Sequence, residues 1–279
     1  MSHFNVLVIG NNPEKALAPY HEFECDGVDD EYVVENDISD DIIGDIGEMG
    51  SLAEAVIYNL GDDSIVSDSS EVDLTGAHKF GYAIIKDNTL VKAVRRTNPN
   101  KKWDWYQCGG RWSGFFLNKD GIWVDSVKKS ELDLAGMEMH SAIQAKRSYE
   151  QYAEAIAGHE QPKSWETVRN DITDITEARK IYGDQPAIKS IRKNDIGPLF
   201  GCAVEYFGNS EMDFVVNKVN SCLTPYAVIC DGEWHSKGEM GWFGMSNDNL
   251  SQDEWNKRVL ELIKELPEET NLSLYDCHI

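Results

Sequence analysis

Apolar residues crowd the start of the chain. Phe4, Val6, Leu7, Val8 and Ile9 form a run closed by Gly10-Asn11-Asn12-Pro13, which predicts a buried strand over 3–9. A short helical turn fits 14–20. Further on, 32–34 reads as a strand, and 51–59 as a short helix started by Ser51. Residues 82–85 and 89–94 predict a hairpin turned at Asp87-Asn88, a pair that tolerates positive φ. A second hairpin is expected from 111–117 and 121–124, turned at 118–121. The period then changes. Met137, Ile143, Tyr149, Tyr152 and Ile156 recur at helical spacing up to Gly158. A second helix beginning near Ser164 carries Trp165, Val168, Ile172, Ile175, Ala178 and Ile181, with Gly183 as its cap. The two predict an αα-hairpin that projects as an arm or covers a sheet. Strands are expected at 202–206, 213–219 and 226–230. Ser251 and Glu254 spell a capping box, with Leu250 placed to staple onto Trp255. Trp255, Val259, Leu262, Ile263 and Leu266 make the apolar face of that helix, and Pro267 stops it. A last strand fits 271–275. The expected fold class is α+β, with mixed and antiparallel sheets drawn from both ends of the chain and a central helical hairpin. Three regions follow: 1–131 with an acidic insertion at about 16–78, a helical arm at 132–195, and 196–279.

Charge adds a feature that the apolar pattern does not show. The formal net charge is −23. Between Ala16 and His78 stand eighteen Asp or Glu and no Lys or Arg, so this stretch holds most of the excess. Such a field repels nucleic acid and anionic lipid and attracts a basic protein surface, such as the DNA-binding face of another protein. Asp29, Asp30, Glu31, Asp40 and Asp41 are the candidate contacts. The competing reading is a solvated acidic loop. A small basic patch, Lys92, Arg95, Arg96, Lys101 and Lys102, is placed to offset the acids within the fold. Hydrophobic residues make up 41% of the chain, which is a folding composition. No apolar run reaches the length of a membrane span, and the first strand lacks the basic flank of a secretion signal. The expected location is therefore the cytoplasm. Six Cys without a C-x-x-C pair fit reduced, buried thiols.

Two segments concentrate unusual chemistry. In the first, Trp103, Trp105, Tyr106 and Trp112 surround Gly109-Gly110-Arg111. It reads either as a ligand or partner pocket with Arg111 presented to an anion, or as a core hairpin with a tight turn. It is no phosphate loop, because no Gly-Lys-Ser/Thr follows it. The second carries Trp234, His235 and Trp242 among glycines, with Glu233 and Glu239 near the imidazole. At the chain end, Cys277 and His278 are neighbours on a strand, so they face opposite ways and cannot pair with each other. If the protein is an enzyme, His235, Cys277 and Arg111 are the candidate groups, acting on a nucleotide-type signal. A nucleotide sponge would instead stack its ligand on the 103–112 segment. Zinc on Cys222, Cys230, His235 and Cys277 matches no tight zinc module. No metal and no cofactor is expected.

The opening 4–10 with 17–20, the segment 98–116 and the stretch 224–279 resemble a family of bacteriophage and prophage proteins over about a third of the chain. Within it, the sequence resembles the phage inhibitors of Gabija, a bacterial defence complex of an ATPase-nuclease and a helicase-like subunit. The resemblance implies inhibition by binding, with several inhibitor copies around the complex. It carries over no contact residue. The resulting expectation is an acidic, non-catalytic, self-associating protein whose partner is a bacterial defence complex. Direct contact with nucleic acid or membrane is not expected. Self-association is also expected because the aromatic content exceeds what a loop-rich chain easily buries.

Overall fold

The computed structural model describes residues 3–22, 31–198, 201–240 and 246–279. Its centre is a mixed sheet in which Glu233–Ser236, Ala227–Cys230, His3–Ile9, Asn271–His278 and Trp105–Cys108 lie side by side in that order. Ser126–Lys128 pairs with the other end of Asn271–His278. Only His3–Ile9 and Ala227–Cys230 run parallel. The first and last strands of the chain are thus direct neighbours, in register from His3 opposite His278 to Ile9 opposite Leu272. Both bury successive residues, Val6 to Ile9 and Leu272 to Cys277, because both sheet faces are covered.

The expected helix is present as Gln252–Glu265. Ser251 and Glu254 close the capping box from both sides. Trp255, Val259 and Ile263 pack onto Leu7, Val228, Leu272 and Leu274, which defines the helix face of the sheet. The Trp255 indole N–H donates to the Pro225 carbonyl at 2.8 Å, so the largest side chain of this core leaves no polar atom unpaired. On the opposite face, Phe4, Val6, Val8, Ala227, Ile229 and Cys277 pack with Leu17 and Trp103.

Much of the acidic stretch is folded. Val34–Asp37, Thr89–Thr97, Gly81–Lys86 and Ile65–Val66 form a second sheet in that order. Helices Ser39–Met49 and Leu52–Leu60 cover one side of it through Ile42, Ala55 and Val56 against Ala83 and Ala93. The hairpin turns at Asp87 and Asn88 with φ of 48° and 60°, the left-handed pair that this turn type needs. Leu52–Leu60 starts on the Ser51 side chain as expected. The helix Ser39–Met49 was not foreseen. Its Asp and Gly content hides a stripe of Ile38, Ile42, Ile46 and Met49.

Among the described residues between 134 and 220, all regular structure is helical. The long helix Leu134–Ile156 is followed by Trp165–Asp171, Ile175–Asp184, Pro186–Lys193, Ala203–Phe207 and Glu211–Asn220. They share a core of Tyr152, Val168, Tyr182, Ile188, Phe207 and Phe214, in which Tyr152 stacks on Phe207 at 4.4 Å. The strands expected at 202–206 and 213–219 are helices. Ser210 caps the second segment by accepting from the Asp213 N–H. The second helix of the expected pair is also split. Asp174 caps a new helix by accepting from the Glu177 N–H, and Gly183 lies inside that helix rather than ending it. Among the described residues, no helix is long and apolar enough to cross a membrane.

Candidate functional site

The acidic candidates sit on the folded module. Asp40 and Asp41 open the helix Ser39–Met49, where carboxylates favour the helix dipole, and both are exposed. Glu31, Glu35, Asp37, Glu48 and Glu54 are exposed around them. The same two helices expose Ile43, Ile57 and Tyr58, the last at 70%. Part of the basic patch turns inward: Arg96 reaches Glu35 at 3.5 Å, and Arg95 donates to the Asn59 carbonyl and side chain. Lys86 pairs with Asp68 at 3.0 Å. These pairs offset few of the acids, so the surface stays strongly negative. Asp29, Asp30 and Trp242 lie outside the described residues.

The aromatic candidates divide between the two faces of the central sheet. Trp103, Tyr106 and Trp234 converge on the face opposite the helix, with Trp103 and Trp234 ring centroids 5.7 Å apart. Trp103 is 1% exposed, so it is core and not a stacking platform. Trp112 packs against the helix-face core. Trp105 is 45% exposed on that same face, opposite His278 in register. The 103–112 segment therefore does not form one pocket.

Gly109 and Gly110 take positive φ of 70° and 53°. Their turn wraps a carboxylate: the Arg111 N–H donates to Asp276 Oδ2 at 3.0 Å. A Cβ on Gly110 would collide with Asp276, and one on Gly109 with Asp125. The glycines thus serve an internal anion. The Arg111 side chain is exposed, and it has no ion-pair or hydrogen-bond partner among the described residues.

His235 and Cys277 do not meet. His235 stands opposite Val228 on the helix face, where its Nδ1 lies 3.4 Å from Arg258. Cys277 stands opposite Phe4 on the other face, fully buried. Burial, helped by the Asp276 charge, pushes its thiol well above the ordinary range, the reverse of an activated nucleophile. Burial also pushes the Cys222 thiol up to about 11. Among the described residues, no three His, Cys, Asp or Glu side chains gather as ligands of one metal ion.

Comparison with protein-family models, with curated proteins and with solved structures finds no match.

One arrangement was missed by the sequence reading. His3 Nδ1 lies 2.7 Å from Asp276 Oδ1, and His278 Nδ1 lies 2.7 Å from Asp104 Oδ1. The two imidazoles touch edge to face at 4.9 Å, beside Trp105. A signal for half of it was available. The alternation that separates Cys277 from His278 puts Asp276 and His278 on one face. That His3 joins them depends on pairing between the two ends of the chain.

Proposed function

We propose that this protein is a phage-encoded anti-defence inhibitor that acts by binding, in the host cytoplasm, on a bacterial DNA-targeting immune complex of the Gabija nuclease–helicase type. The observation that carries the reading is the acidic surface of residues 31–73, held on a sheet and two helices with a core of their own. Carboxylates on a fixed scaffold can complement a cationic groove that otherwise receives DNA, and they lose less conformational freedom on binding than a loop would. Ile43, Ile57 and Tyr58 add apolar contact area and an aromatic anchor on the same helices. The family resemblance supplies the Gabija-type target and the several copies arranged around it. The physical argument extends to any nuclease with a basic DNA-binding face.

The test is affinity purification of the tagged protein from bacteria that co-express the Gabija complex, with sizing of the eluate. A large assembly of defined stoichiometry is expected. Recovery of the inhibitor alone would remove this target.

A further inference from the structure

The paired histidines at the end of the central sheet are used by nothing described so far. They lie on the helix face, two rows along the sheet from the Leu7 and Leu274 pair that belongs to the core under helix Gln252–Glu265. Each ring is fixed from behind. Asp276 is 2% exposed and holds His3; its second oxygen is taken by the Arg111 N–H, so its orientation is set from two sides. Asp104 holds His278, and its own backbone N–H donates to the His278 carbonyl at 3.0 Å.

A neutral imidazole that donates its Nδ1–H to a carboxylate carries its lone pair on Nε2. Neither Nε2 has a protein partner among the described residues, and neither is sealed off from solvent. Each side chain is 15% exposed. Two lone pairs on adjacent rings, each backed by a carboxylate, match the outer-shell arrangement that orients histidine ligands and raises their basicity. The local charge also favours a cation. Two carboxylates stand behind the rings, and the whole chain carries −23.

We propose that His3 and His278 bind one transition-metal ion of the zinc and nickel class through their Nε2 atoms, with Asp276 and Asp104 as positioning residues. Imidazole suits these ions and suits calcium or magnesium poorly. Two protein ligands leave the remaining positions to water or to a donor from a bound partner. The site is independent of the acidic module and of the inhibitor reading.

The test uses the full chain without a histidine tag, titrated with Zn²⁺ or Ni²⁺ chloride by calorimetry. Imidazole ¹⁵N shifts are followed with Zn²⁺. One ion per chain is expected, and the His3 and His278 Nε2 signals should move while their Nδ1 atoms stay protonated. His278→Ala should abolish the heat. Asp104→Asn should weaken binding about 10–100-fold with an unchanged urea midpoint. No heat and no shift up to about 1 mM metal would overturn the proposal. So would shifts confined to other histidines, such as His140 or His235. Because the shifts are read on the unaltered protein, a variant that fails to fold does not spoil the test.

Discussion

A Cβ at Gly110 would stand 2.5 Å from that of Asp276, on backbone with a φ of 53° that side chains disfavour. Gly110→Ala should therefore destabilise the fold by roughly 2 kcal/mol or more, read as a lower urea midpoint with an unchanged slope. Cys277 is a second single-residue case. It is fully buried between Phe4 and Tyr106 in register, on the face that His235 does not share. Cys277→Ala should cost about 1–2 kcal/mol of stability and leave binding of any partner intact. Loss of function in a folded Cys277→Ala protein would reopen a chemical role for the thiol. In the sequence Cys277 stood out as a chemical candidate and Gly110 as a turn glycine. Their neighbours, Asp276 for the glycine and Phe4 for the thiol, lie at the other end of the chain.

Elements with a local cause were legible in advance; those with a distant cause were not. The strand His3–Ile9, the Asp87-Asn88 turn and the Ser251 capping box each follow from residues within a few positions. Ser251→Ala removes the acceptor for the Glu254 N–H and should lower stability by about 1 kcal/mol, because the helix it starts lies against the sheet core. An unchanged thermal midpoint would show that packing alone sets that helix. The helices Ala203–Phe207 and Glu211–Asn220 were misread as strands because valines suit strands in isolation. Phe207 and Phe214 choose the helix by packing against Tyr149 and Tyr152 on Leu134–Ile156. The acidic module also has a pH signature. Asp37, Glu71 and Asp73 are held below their usual values, each chiefly by a serine or threonine hydroxyl in the adjoining turn. Asp68 is lowered to about 2, first by the Ser70 N–H and then by Lys86. Groups with depressed folded-state values stabilise the fold above their unfolded values and lose that stabilisation as pH falls. The module should therefore weaken from about pH 4 down to about pH 2, followed by far-ultraviolet circular dichroism. Relief of repulsion among the many acids opposes this trend. Rising stability over that window would mean that repulsion dominates.

At the scale of the whole molecule, an apolar two-faced sheet and a helical array carry an appended acidic module. The module's outward charge is not needed for its own packing, since Ile42, Val56, Ala83 and Ala93 fill its interior. Net charge and its position were legible from the sequence. The presence of a scaffold beneath that charge was not, because it depends on Ser39–Met49 meeting a strand some fifty residues later, where Ser39 Oγ accepts the Ala93 N–H. A fixed negative surface makes a definite prediction about partners: binding should be salt-sensitive and should fall when the charge is removed without unfolding the module. The most direct measurement is a titration of the purified protein against the purified Gabija complex at low and raised salt. It would compare the unaltered chain with one carrying Asp40→Asn, Asp41→Asn and Glu48→Gln. The expected result is binding that weakens with salt, and at least about tenfold weaker affinity for the neutralised chain. Equal affinity for both chains at every salt concentration would contradict the acidic-surface account.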